Sequence, residues 1–253
     1  MEPNPGASMP PTKQDLNSRV LQLAELLQIG WQIIKNNWQN LLLLTLIISV
    51  PMNIVGEIIN RVINNANTDN LGNLFLGFSI GGLAVSAVVL SLAGILIPLG
   101  VAAIVMADLG GTKIDYQNAL KQAFGRWGAG IKTSLLMVVC LIPLAIALVV
   151  PAIIFGVFWA FSIYLVMTEN LSGWAALKRS KTVVQGRWWK VFGNLIAFSI
   201  LASIAAWILQ VVFSFLPNGA VSNVIFATIN SVTTIFAIVA GFALFKNLTA
   251  NQK

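Results

Sequence analysis

The stretch VFGNLIAFSILASIAAWILQVVFSFLPNGAVSNVIFATINSVTTIFAIVAGFALF, residues 191–245, decides the fold. It contains no Asp, Glu, Lys or Arg. Pro217-Asn218-Gly219 divides it with a strong turn signal. A membrane-spanning helix needs about 20 mostly apolar residues. Each half meets that length, which predicts two spans at 190–216 and 220–245.

Working back along the chain, three more charge-free stretches appear: 36–56, 70–107 and 133–168. The first predicts a span at 39–59, with Pro51 as a bend. The second predicts a long, tilted helix at 78–107, kinked at Pro98. The third carries Pro143 and Pro151 and predicts two short spans, 133–149 and 151–168, with a tight turn near Val150-Pro151. A re-entrant pair is the alternative there. The total is six spans within one membrane domain, 15–249. The Pro-rich, polar residues 1–14 read as a disordered cytoplasmic tail and not as a secretory signal.

Composition agrees. The 253 residues are 57% hydrophobic and 9% charged, against about 25% charged in a soluble domain. Mean hydropathy is +0.84. Soluble, disordered and disulfide-scaffold classes are excluded. The expected class is all-α, a polytopic integral membrane protein with six transmembrane helices and about three interfacial amphipathic helices.

Charge sets the orientation. Fourteen of the fifteen Lys and Arg fall before the first span, in the 108–132 and 169–190 connections, and at the C-terminus. Arg61 alone lies on the other side. The positive-inside bias places both termini in the cytoplasm. It also accounts for the sequence pI of about 9.9 without nucleic acid as a partner.

The three basic segments share an order of elements. LAELLQIGWQIIKNNWQNLLLL (23–44), YQNALKQAFGRWGAGIKTSLL (116–136) and WAALKRSKTVVQGRWWKVFGNLI (174–196) each predict an amphipathic helix, then a Trp (Trp38, Trp127, Trp188), then a hairpin. The last two share Gly-Arg-Trp, at Gly125-Arg126-Trp127 and Gly186-Arg187-Trp188. Helical spacing puts Leu16, Val20, Leu23, Leu27, Trp31 and Ile34 on one face of the first. Tyr116, Ala119, Leu120, Ala123 and Trp127 form that face in the second, with Asp115 as its cap. Trp174, Leu177, Val184 and Trp188 form it in the third, opposite Lys178, Lys181 and Gln185.

Residue types narrow the chemistry. There is no histidine, so no Ser–His or Cys–His pair and no His-based metal site. Cys140 is the only cysteine and sits in an apolar run. The eight carboxylates form no DxD or ExxE pair, and no phosphate-binding or nucleophile-elbow motif occurs. No catalytic, cofactor or metal residues are assigned, and a non-enzymatic role is expected.

PAIIFGVFWAFSIYLVMTENLSGWAALKRSKTVVQGRWWKVFG, residues 151–193, resembles the membrane domain found with some bacterial glycerophosphoryl diester phosphodiesterases, and related uncharacterised six-span bacterial membrane proteins. Pro151, Glu169, Ala176, Arg179-Ser180 and Gly186-Arg187-Trp188 carry the likeness. It implies a bacterial inner membrane and a lipid-connected module. The family's catalytic domain is a separate soluble barrel using His and carboxylates with a metal, so phosphodiesterase activity is not implied here.

Three groups of candidate residues follow. Trp174, Lys178, Arg179, Lys181, Arg187, Trp188, Trp189 and Lys190 form the densest basic and aromatic patch, read as an anionic-lipid headgroup site or as topology signals. Glu169 is expected to pair with Arg179 or Arg187. Asn223, Asn230 and Thr234 recur on one face of the last span, as the border of a polar pathway or as interhelical hydrogen bonds. Glu57 and Arg61 read as an i,i+4 pair. Membrane lipids, most simply anionic, are the expected partners, with a membrane-protein partner or a second copy also open. No ionisable residue falls mid-span, which disfavours an ion-coupled transporter. The competing readings are a lipid-engaging protein, a small-solute or lipid permease, and an accessory subunit of a membrane complex.

Overall fold

A computed structural model describes residues 15–64, 92–217 and 219–252. Among these the chain is helical throughout, without strands. The helices are α1 (Asp15–Ser18), α2 (Leu23–Asn64), α3 (Leu96–Leu109), α4 (Tyr116–Ala147), α5 (Val149–Trp159), α6 (Ser162–Thr168), α7 (Trp174–Val184), α8 (Trp188–Val212) and α9 (Ala220–Ala250). Six helical stretches are long and apolar enough to cross a membrane: Leu23–Arg61, Leu92–Leu109, Tyr116–Ile146, Val149–Thr168, Trp188–Val212 and Ala220–Ala250. The expected tail, 1–14, and the first part of the expected 78–107 span lie outside the described residues.

α3 is the centre of the bundle. It is apolar on every side, so no stripe is left for a polar surrounding. Leu99, Val101, Ile104 and Val105 are fully buried, and α2, α4, α6 and α9 surround it. Gly100 lets α2 close on it, since a Cβ there would meet Leu44 Cδ1 at 2.7 Å. Gly130 does the same for α4 against Ile95. α9 in turn lies between α2 and α8, and α8 packs chiefly on α9.

Proline sets two of the breaks, but three residues before its own position. A proline ring crowds the carbonyl four residues earlier. The hydrogen-bond ladder is interrupted at Ile95 ahead of Pro98, although Ile95 keeps helical angles (φ −63°, ψ −25°), and the helix breaks at Leu148 (φ −158°, ψ 121°) ahead of Pro151. Each proline then sits in the first turn of the following helix, where its missing N–H has no intrahelical partner to lose. The turn expected near Val150-Pro151 thus falls at Leu148, two residues earlier, and the irregularity ahead of Pro98 falls at Ile95, within the stretch Leu92–Leu109. Pro51 lies inside α2 without ending it; the bend falls instead at Asn37 (φ −127°, ψ 17°).

The three repeated segments diverge. The first bends at Asn37, whose buried amide donates to Ile33 O at 3.0 Å. Leu26, Ile29 and Ile33 are its buried centre; of the expected face Leu16 is buried and Leu23, Leu27 and Ile34 pack against the core, while Val20 and Trp31 are exposed. The apolar stripe is wider than one contact, and the protein takes one edge of it, leaving Trp31 and Trp38 outward. The second segment is no separate helix, because α4 runs unbroken from 116 to 147. Its predicted face holds: Ala119 and Ala123 are buried, and Trp127 Nε1 donates to Leu92 O at 2.9 Å. Asp115 caps it, accepting from the Asn118 amide at 3.3 Å. The third segment does break. Gly186 takes a left-handed φ of +81°, a conformation glycine adopts without strain. The shared Gly-Arg-Trp letters therefore encode a turn at one site and continuous helix at the other. The inward face of α7 is Ala176, Leu177, Ser180, Val183 and Val184, with Trp174 turned out of the predicted stripe.

Candidate functional site

The site grows from α7. Its inward residue Ser180 sits at the break between α5 and α6. The hydroxyl donates to Phe158 O at 2.7 Å and accepts from the Phe161 amide at 3.2 Å. One buried side chain thus satisfies two backbone groups that a helix break would strand. Ahead of α7, Gly173 (φ +55°) donates its amide to Thr133 Oγ1 at 2.8 Å. These contacts fix α7 across the α5–α6 break and against α4.

The five cations of the patch then divide. Arg179 Nε bridges the Glu169 carboxylate, 3.0 Å to Oε2, and Nη1 donates to Gln252 Oε1 at 2.9 Å. Arg187 does not reach Glu169. Its Nη2 donates to Asn251 O at 2.8 Å, at the C-terminal end of α9, where a helix's exposed carbonyls attract a cation. The predicted Glu169–Arg187 pair is corrected to Glu169–Arg179, because Arg187 follows the Gly186 turn onto α9. Lys190 Nζ donates to Leu21 O at 2.7 Å. The side chains of Lys178 and Lys181 alone of the five form no hydrogen bond or ion pair within the described residues.

Those two lysines lie one turn apart on the exposed side of α7, in line with Trp174. Lys181 Nζ stands 5.7 Å above the Phe158 ring. Trp174 meets Trp159 edge-on, with ring centroids 6.5 Å apart. Trp188 Nε1 donates to Ile154 O at 3.2 Å, and its ring stacks on Phe192 at 4.9 Å. Trp189 stands beside it, 78% exposed. The arrangement can offer two ammonium groups and outward indoles to an anionic surface.

The predicted polar line on α9 splits between two neighbours. Asn223 Nδ2 donates to Glu57 on α2, at 3.2 Å to Oε1. Arg61 holds the same carboxylate at 2.9 Å, and one helical turn along α2 Asn53 donates to Thr228 at 3.2 Å. Asn230 instead accepts from Gln210 Nε2 on α8 at 3.1 Å, and Thr234 donates to Asn230 O at 2.7 Å. Asn230 and Thr234 border an open seam with Ser199 and Ser203, whereas Asn223 borders a different cleft with Asn53 and Glu57.

Two residues that matter were missed. One is Ser180 in its stitching role. The other is Asn247, fully buried, which donates to Leu16 O at 2.9 Å and Arg19 O at 2.7 Å and accepts from the Leu21 amide at 3.0 Å. An Asn in the apolar run GFALFKNLTA was the available signal. Among the described residues no three His, Cys, Asp or Glu side chains gather as a metal site. No protein-family model, curated protein or solved structure matches the chain.

Proposed function

We propose that this is a multi-pass protein of a bacterial inner membrane, without catalysis of its own, that engages anionic lipid headgroups through α7. The observation that carries the reading is the division of the cations. Arg179, Arg187 and Lys190 are held by protein acceptors, while Lys178 and Lys181 point outward in line with Trp174. A basic residue near an anionic leaflet contributes about 1 kcal/mol, so the pair supplies about 2 kcal/mol. Outward Trp rings favour headgroup depth. The positive-inside pattern supports placing this face, and both termini, on the cytoplasmic side.

Phosphatidylglycerol carrying a photoactivatable headgroup tests the proposal on the full chain in nanodiscs. The expected label falls on the segment from Trp174 to Lys190 and is lost in Lys178→Gln/Lys181→Gln. Equal labelling there by a phosphatidylcholine analogue, or labelling unchanged in the variant, rejects it.

The permease reading asked Asn223 and Asn230 to line one path, and their separate partners weigh against it. The accessory-subunit reading draws on one observation. Ser199, Ser203, Asn230 and Thr234 stay exposed along the α8–α9 seam, where a partner helix could bond them. It predicts a stoichiometric protein partner retained in mild detergent.

A further inference from the structure

We infer that a second lipid site lies where α2 bends, in a groove separate from α7, and that it holds one anionic phospholipid. Trp31, Trp38 and Leu42 of α2, Ala205 of α8, and Ile235 and Phe236 of α9 line an apolar groove of about 250 Å³. From Lys35 to Leu42 the helix rises about 10 Å, so the groove covers the headgroup-side part of one leaflet of a ~30 Å hydrocarbon core. The bend at Asn37 separates the two tryptophans that frame its mouth, 61% and 56% exposed.

Charge selects the occupant. Lys35 is exposed one helical turn after Trp31, and no carboxylate among the described residues pairs with it. Its stem can run along the Trp31 side while the ammonium stays at the mouth. A lipid phosphate at that ammonium places an acyl chain down the groove, against Leu42, Ala205 and Phe236. A zwitterionic lipid offers the same phosphate but sets its own cation beside the Lys35 ammonium, so a lipid with net negative charge is favoured. A second protein chain would have to bring a carboxylate to the same point.

The site is distinct from the α7 face, and a failure of one leaves the other standing. Native mass spectrometry of the full chain, titrated with phosphatidylglycerol or phosphatidylcholine of matched chains, reads it. The wild type is expected to hold one more phosphatidylglycerol than Ala205→Phe, whose ring fills the slot from an exposed position. Lys35→Gln is expected to weaken phosphatidylglycerol about five-fold, as loss of one basic residue near an anionic lipid predicts, and to weaken phosphatidylcholine less. Leu42→Trp occludes the same groove from α2 and decides the matter if Ala205→Phe does not fold. Lys178→Gln/Lys181→Gln is expected to leave this bound lipid in place. Wild-type lipid count in both groove-filling variants, or equal affinity of the wild type for the two lipids, overturns the inference.

Discussion

Ser180→Ala removes a single oxygen and strands two backbone groups. In the native fold that oxygen donates to Phe158 O and accepts from the Phe161 amide, and Ser180 is fully buried. A hydrogen bond between side chains in a membrane bundle averages about 0.6 kcal/mol, because the unfolded chain finds other partners. A buried backbone group left without a partner costs about 1–3 kcal/mol. The amide loses its partner outright, while a carbonyl with two lone pairs suffers less, so the expected loss is about 2–4 kcal/mol. Titration of the purified full chain from mild into denaturing detergent measures it. Two controls use the same atom type. Thr182→Ala removes an exposed hydroxyl bonded to Lys178 O at 3.1 Å on its own helix and should change stability by under about 0.5 kcal/mol. Thr45→Val replaces a buried hydroxyl that has no hydrogen-bond partner among the described residues and should be neutral or stabilising. A Ser180→Ala loss near 0.6 kcal/mol, or one equal to that of Thr182→Ala, would refute the claim that the hydroxyl stitches the α5–α6 break.

Gly100→Ala should destabilise by about 1–3 kcal/mol through overpacking against Leu44, while Gly125→Ala, with open space around it inside α4, should stabilise by about 0.5–1 kcal/mol; the same detergent titration ranks them. A double-mutant cycle on Glu169 and Arg179 should return a coupling of about 0.2–1 kcal/mol, as expected of a half-exposed pair, and the cycle on Glu169 and Arg187 none. Asn247→Ala should strand the Leu21 amide and raise hydrogen exchange at residues 15–22 by about ten-fold or more, with α3 unchanged; unaltered protection there would dismiss the clasp.

What was legible in the sequence was whatever hydrophobicity and charge state directly. The long charge-free runs gave six apolar helices, and Pro217-Gly219 gave the break between α8 and α9. Asp115 as a cap and Ala119/Ala123 as an inward face followed from short-range rules. The boundaries were less legible, because a proline acts on the carbonyl four residues before it and because Asn37, not Pro51, bends α2. The inward side of a broadly apolar helix is chosen by its neighbours, which is why Leu26, Ile29 and Ile33 displaced Trp31. At the candidate site, the residue types were legible and their partners were not. Nothing local announces that Arg187 will meet a carbonyl 64 residues on, or that Ser180 will fill a gap in another helix.

The Asn247 clasp has a topological consequence. Its bonds join backbone at Leu16, Arg19 and Leu21 to a side chain 226–231 residues further along. Two points of a chain clasped together at one surface of a bilayer stand on the same side of it. If the clasp stands at one surface of a bilayer, the number of crossings between its ends is even by parity, a condition that the six candidate helices meet without recourse to charge. The clasp also closes last. During synthesis the Leu16 and Arg19 carbonyls and the Leu21 amide wait for their Asn247 partner until α9 has been made, so a chain stopped short of Asn247 leaves this clasp open. A protease cut at Arg19 would then report whether the whole sequence had been threaded.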